Sequence, residues 1–216
     1  MDRKQGLVQD TYRPQIKERL YNFIAHGGIW LLETIFPEYF AVEPLRPTDR
    51  YIEYPFVLSN IPKPQQIILD VGCSGSMFPL MLDALGCITY GMDIREYPIK
   101  NKFKFIQDDI CHTKFNDNTF DVVTAVSTIE HIGLKGRYGT TDGSDYKAIK
   151  EIYRILKPNG IFLMTVPYGK EFKQFKKHRV YDNTSITCLL YKFGFTYQIE
   201  QSPEADYQLA LIRAVK

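Results

Sequence analysis

The 216-residue sequence is poor in cysteine and in net charge, and each shortage removes a class of function. Its four cysteines, Cys73, Cys87, Cys111 and Cys188, contain no C-x-x-C pair, which argues against zinc and dithiol sites and for buried, reduced thiols. A formal net charge of +2 supplies no general attraction to nucleic acid or to an anionic membrane. No apolar run approaches the ~18 residues that suggest a membrane-spanning helix. The opening MDRKQGLVQD lacks the apolar core of a secretion signal, so a cytoplasmic protein without a membrane span is expected. Repeats and low-complexity tracts are also missing. What remains is a chain with 44% hydrophobic residues, enough for the core of one domain with a small appendage.

The chain changes character at IPKPQQ (61–66), which divides an N-terminal helical extension, 1–62, from a main domain, 63–216. In the extension, Ile16, Leu20, Phe23 and Ile24 have helical spacing, and Gly27-Gly28 are expected to end that helix before a second apolar run, Ile29–Phe36. In the main domain, seven strands are predicted at 66–71, 87–92, 103–107, 120–126, 161–166, 195–200 and 207–214. Helices are predicted at 76–86, at 144–156 with Ser144 or Asp145 as cap, and at 183–193, capped by Asn183 and ended by Gly194. Only about ten residues separate the second and third strands, room for a turn or a minimal helix.

The stretch ILDVGCSGSMFP (68–79) reads as a buried strand, a tight turn and a helix start. In open α/β sheets, loops at the carboxyl ends of strands hold ligands. Gly72-Cys73-Ser74-Gly75-Ser76-Met77 lacks the G-x-G-x-x-G spacing of a dinucleotide site, and no lysine follows as in a phosphate-cradling loop. Phosphate is therefore disfavoured, and a ligand with an adenosine end but no pyrophosphate remains. Asp93, 18 residues after Gly75, stands where a carboxylate accepts hydrogen bonds from ribose hydroxyls. Asp109 in FIQDDI is placed to take an adenine amino group, with Asp108 as its competitor.

The segments ILDVGCSGS, YGMDIRE, FIQDDI, FDVVTAVSTIEHIG and EIYRILKPNGIFLMTVP, in this order over roughly residues 64–200, resemble class I S-adenosylmethionine-dependent methyltransferases of the type 11-like group. The resemblance implies an α/β, Rossmann-like fold: a seven-stranded mixed sheet with helices on both faces and a last, antiparallel strand inserted beside the fifth. It implies S-adenosyl-L-methionine as cofactor, with Asp70, Gly72, Cys73 and Gly75 around the methionine part, Asp93 at the ribose, and Asp109 with Ile110 at the adenine. Ser74 replaces the family's middle glycine, a change that is tolerated only outside the left-handed region. Asp70 also reads as a core acid satisfied by the loop amides.

On the acceptor side, a hydroxyl that takes a methyl group must lose a proton, and His131, after the fourth strand, is either the base or a histidine that organises the loop. Arg137, Tyr138, Tyr168, His178 and Tyr181, in the loops 132–145 and 168–181, are candidates to contact a hydroxylated acceptor. KEFKQFKKHR (170–179) interleaves six basic residues with Phe172 and Phe175, as in single-stranded nucleic-acid binders, but also as in a solvated loop. No second basic patch accompanies it, so a nucleic-acid partner is disfavoured. RYIEYPFVL (50–58), EHIGLKGRYG and VPYGK resemble a subgroup associated with polysaccharide or sugar modification. The expected protein is a metal-free enzyme that methylates a small-molecule or sugar- or glycan-linked acceptor at oxygen. A nucleic-acid methyltransferase, an NAD(P)-binding oxidoreductase and a catalytically silent cofactor-binding protein are the alternatives, and the sequence specifies no oligomeric state.

Overall fold

A computed structural model describes residues 16–35, 49–62, 65–99, 102–134, 144–202 and 208–216. The chain divides into two compact units, Met1–Phe40 and Ala41–Lys216. In the first, one helix, α1 (Ile16–Ile35), runs through Gly27 and Gly28, where the sequence suggested a break. Glycine in a helix interior costs only about 1 kcal/mol relative to alanine, which an otherwise helix-compatible run of 20 residues absorbs.

The second unit begins upstream of the proline-rich step, because a further helix packs into its core. This is α2 (Arg50–Ser59), which carries Pro55 in its interior and was hidden by it in the sequence. Then follow β1 (Ile67–Val71), α3 (Phe78–Ala84), β2 (Ile88–Asp93), β3 (Lys104–Gln107), β4 (Phe120–Val126), α4 (Asp145–Ile155) and β5 (Leu156–Tyr168). A two-stranded hairpin, β6 (Lys173–Gln174) with β7 (Arg179–Val180), leads to α5 (Asn183–Tyr191), β8 (Thr196–Gln201) and β9 (Gln208–Val215). The described residues between β2 and β3 contain no helix, where the short spacing left room for a turn or a minimal helix. Ser144 caps α4 by accepting from Lys147 N, but the cap of α5 is Asp182, not Asn183: its carboxylate accepts from Ser185 N at 2.7 Å in a capping box.

The main sheet has seven strands in the order β3-β2-β1-β4-β5-β9-β8. β1 to β5 pair in parallel, and β9 runs antiparallel between β5 and β8, from Ile161 opposite Val215 to Tyr168 opposite Gln208. Side chains alternate across a strand, so each central strand feeds two cores. Leu69, Val123 and Phe162 join one core with Ile149 and Ile152 of α4 and Leu190 of α5. Ile68, Val122 and Leu163 join the other with Val57 of α2 and Phe78 of α3. Helices thus cover both faces. Cys73, Cys87 and Cys111 are buried free thiols as expected, while Cys188 on α5 is exposed.

The parallel strands place their carboxyl ends together, and the reversal of strand order, from β1–β2–β3 laid down to one side to β4–β5 on the other, makes a switch point there. Substitution Ile152→Ala, at a fully buried contact in the larger core, is expected to cost about 2–5 kcal/mol in urea unfolding. Tyr191→Ala, on the exposed side of α5, should stay within about 0.5 kcal/mol. Equal losses would show that this packing does not carry the stability assigned to it.

Candidate active site

The loop after β1 is shaped by two glycines. Gly72 and Gly75 take φ of +77° and +83°, whereas Ser74 is outside the left-handed region, so its replacement of a glycine carries no backbone strain. A Cβ on Gly72 would lie 2.3 Å from Thr128 Oγ1, which makes glycine obligatory where the β1 and β4 loops meet. Main-chain N–H groups of Gly72 and Cys73 donate to Met92 O at 2.8 and 3.3 Å, which fastens the loop to β2.

Asp93, at the end of β2, is buried and receives Ser74 N at its Oδ2 and Arg95 N at its Oδ1, both at 2.9 Å. The Arg95 side chain, about half exposed, adds an ion pair through Nε at 3.2 Å. After β3, Asp109 caps a short 3-10 turn by accepting from Cys111 N, and Asp108 accepts from Asp109 N, each at 2.9 Å. These groups face a cleft of about 260 Å³, near the ~300 Å³ lower end for ligand pockets. Gly72, Gly75, Asp93, Asp109, Ile110 and His131, all singled out in the sequence, line it.

Asp70 and Cys73 do not line the cleft. Asp70 is buried in the sheet and accepts from the Thr124 hydroxyl at 2.7 Å, a core acid satisfied by its neighbour strand, not by loop amides. Burial raises its pKa to about 7, the Thr124 hydrogen bond and the Arg50 charge offsetting part of the rise. The Cys73 side chain packs with Tyr97 and Phe103, and burial pushes its thiol far above the ordinary range. Tyr181 is buried too and donates to Asp145 Oδ2 at 2.9 Å, beside a separate small cavity. Tyr168 is half-buried and bridges to Tyr181, and His178 stacks on Phe175 with ring centroids 4.8 Å apart. Arg137 and Tyr138 lie outside the described residues.

His131 closes the 3-10 turn that follows β4. Its Nδ1 is 2.7 Å from Lys177 O. A carbonyl only accepts, so in the neutral ring Nδ1 carries the proton and Nε2 the lone pair. Nε2 lies 3.5 Å from Glu130 Oε1. Buried Arg179 donates to Ile132 O at 2.8 Å, so the β6–β7 hairpin is fixed to the His131 turn at two points.

Sequence reading missed a buried polar cluster behind the cleft. Glu53 of α2 accepts at Oε1 from Ser127 Oγ at 2.5 Å and Thr165 Oγ1 at 2.6 Å, and at Oε2 from Arg50 Nη1 at 2.6 Å. Arg50, Ser127 and Thr128 line the cleft, and Ser127 holds a left-handed φ of +46° that these bonds and Thr165 O, accepting from Ser127 N, lock in place. The signal available was Arg50 and Glu53 at helical spacing, masked by Pro55.

The raised pKa of Asp70 gives a signed expectation. The folded state holds this proton more tightly than the unfolded state, so Asp70 costs stability progressively as pH rises from about 4 to about 7, and the full cost persists above. Asp70→Asn removes that cost. Its thermal stability relative to the native chain should therefore increase from pH 4 to pH 7 and level off beyond; a difference flat across this window would refute the assignment.

Residues 69–164 match a family described as "Methyltransferase domain". The sterol 24-C-methyltransferase erg6 of Schizosaccharomyces pombe is 33% identical over 114 residues, covering 46% of this chain and 27% of that protein. The uncharacterized protein MJ0638 of Methanocaldococcus jannaschii is 33% identical over 105 residues, 46% of this chain and 40% of its own length. The chain therefore spans well under half the length of these curated relatives. In fold it is similar to the PH0226 protein of Pyrococcus horikoshii OT3, with a TM-score of 0.61 and 22% identity over 86% of this chain and 99% of that one. The [4+2]-cyclase SpnF superposes with a TM-score of 0.62 at 16% identity, over 77% of this chain and 80% of that one. The matched segment runs from within β1 to the centre of β5, in a sheet whose antiparallel β9 lies beside β5, and over these residues the chain is similar to the methyltransferase-domain family.

Proposed function

We propose that this chain transfers a methyl group from S-adenosylmethionine to a small-molecule acceptor, at oxygen, with His131 as general base. The observation that carries the reading is the composition of one cleft: a positive-φ glycine loop from β1, carboxylates at the ends of β2 and β3, and a histidine after β4. The set suits an adenosyl ligand without phosphate, since acids rather than glycine amides and lysine face the nucleoside side. Two main-chain N–H groups aim Asp93 at the cleft, and the Arg95 guanidinium is the partner that ribose hydroxyls would replace. Asp109 and Ile110 would border the adenine.

Bound S-adenosylmethionine supplies an electrophilic methyl group on a sulfonium centre. The protein then has to orient the acceptor, exclude water and move one proton. With Nδ1–H held by Lys177 O, His131 presents Nε2 to take the hydroxyl proton, and Glu130 lies close enough to stabilise the imidazolium that results. The hairpin that carries Lys177 supports an acceptor pocket on this side, where Tyr168 and His178 also stand. Relatives named sterol 24-C-methyltransferases favour a small molecule as acceptor and weigh less for a sugar. Exposed Phe172 and Phe175 beside the hairpin lysines keep one rival, a nucleic-acid acceptor, which strong loss of acceptor binding between about 50 and 200 mM salt would reveal.

S-adenosylhomocysteine is expected to stabilise the chain by about 2.7 kcal/mol at a hundred times its Kd, and NAD(H) is expected to leave thermal unfolding unchanged. Asp93→Ala should abolish most of that gain; an equal response to NAD(H) would sink the cofactor assignment. His131→Ala should keep the S-adenosylhomocysteine response while turnover in a screen of small hydroxylated acceptors falls about 10²- to 10⁴-fold. Undiminished turnover in this variant would leave positioning alone as the role of His131.

A further inference from the structure

Exposed apolar side chains gather on two elements. Of the fourteen large ones that face solvent among the described residues, seven lie on α1, with Phe23 at 78% and Trp30 at 60% exposure, and two, Phe172 and Phe175, lie beside the strands of the β6–β7 hairpin. Single exposed apolar residues are ordinary, but clusters mark a surface that meets a partner. Leu20, Ile24, Leu31 and Ile35 recur at helical spacing on α1, a stripe about 22 Å long at 1.5 Å per residue. Between Arg19 and Glu33 this helix has no Asp, Glu, Lys or Arg. Such a run is shorter than the ~20 residues that span a bilayer, and suits either a buried core helix or a segment at a membrane interface. The exposure of α1 excludes the first, and no helix among the described residues is long and apolar enough to cross a membrane.

The hairpin adds charge. Residues 170–179 hold five Lys or Arg against one Glu, a formal +4 in a chain of +2, so the remaining residues sum to −2. Lys170, Lys173, Lys176 and Lys177 are exposed, and Glu171 pairs with Lys173 at 2.9 Å. A second copy of the chain would cover α1 but does not call on the lysines. Single-stranded nucleic acid would take the lysines and phenylalanines, but not an uncharged apolar helix. An anionic bilayer takes both, since an apolar stripe sinks into the boundary between headgroups and acyl chains while lysines meet the lipid charge.

We propose that this chain binds the surface of anionic lipid membranes, with the apolar stripe of α1 and the basic, phenylalanine-bearing β6–β7 hairpin each contributing a contact. It lies on the membrane without spanning it. Lys177 O of the same hairpin is the partner of His131 Nδ1, so on the reading of His131 as base the hairpin contact is next to the acceptor side of the cleft.

The test titrates the full chain with unilamellar vesicles of phosphatidylcholine, with and without phosphatidylserine, and follows Trp30, the single tryptophan of the chain. Vesicles with phosphatidylserine are expected to shift Trp30 emission to the blue, and to quench it when their acyl chains carry bromine, because the indole moves into the interface. Exchange of Lys170, Lys173 and Lys176 for Gln is expected to weaken partition onto these vesicles about a hundredfold, at about fivefold per lysine. Ile24→Ser/Leu31→Ser, which keeps the reporter, is expected to weaken partition onto both kinds of vesicle, with unchanged thermal unfolding of the main domain as the control for folding in each variant. Trp30 emission that stays constant at every lipid concentration, or equal affinity for charged and uncharged vesicles, overturns the proposal. So does a chain that ignores vesicles and instead forms a dimer dissolved by the α1 variant, which assigns α1 to a second copy, or binds oligouridylate through the hairpin lysines, which assigns the hairpin to RNA. These readouts use neither cofactor nor turnover, so their failure leaves the methyl-transfer reading standing.

Discussion

The buried carboxylate of Glu53 is the constraint on which the cleft depends. Out of water, such a charge persists only if donors surround it, and here a guanidinium and two hydroxyls do so. Loss of one partner from a buried ion pair typically costs about 3–5 kcal/mol, so the four groups hold one another in place. The consequence is geometric. Helix α2 is pinned over the ends of β4 and β5, Ser127 is kept in a conformation non-glycine residues avoid, and Arg50 is brought to the rim of the cleft.

A second constraint lies on the opposite side, where Asp93 serves the loop before it serves a ligand. Its carboxylate receives main-chain N–H groups from Ser74 and Arg95, so it ties the β1 loop to the β2 end. The same bonds set its direction, because a carboxylate held by two amides cannot rotate away. Gly72 completes the arrangement: its missing Cβ is the space that Thr128 occupies, and Thr128 Oγ1 in turn donates to Val71 O at 3.1 Å. Binding geometry and loop integrity are thus one set of interactions, and a substitution in either alters both.

On the acceptor side the organisation is backbone-led. His131 is oriented by a carbonyl of the β6–β7 hairpin, and that hairpin is held by Arg179 donating to Ile132 O. A main-chain partner fixes the tautomer without contributing a second titrating group, which leaves Glu130 as the acid nearest Nε2. The hairpin itself exposes Phe172, Phe175 and its lysines, so the surface that meets solvent is separate from the contacts that set the histidine.

By itself the sequence determined the sheet and the acidic side of the cleft. Strand positions followed from apolar runs bounded by turn residues, and Gly72, Gly75, Asp93 and Asp109 followed from their places at strand ends, because local backbone requirements and chain order are written in nearby residues. Tertiary structure alone decided the rest. Asp70 and Cys73, adjacent to the loop in sequence, face inward to Thr124 and to Tyr97 and Phe103, since alternation along β1 and the course of the turn set which way a side chain points. Helix α2 was obscured by Pro55, and continuity of α1 by Gly27-Gly28, because local breakers lower a helix's stability without forbidding it when the remaining residues or core packing compensate. The contact of Glu53 with Thr165 joins residues 112 positions apart, and no local pattern could have disclosed it. The acceptor-side histidine was legible as a candidate, but the carbonyl that fixes its proton lies 46 residues away and is a main-chain atom, which no side-chain motif records.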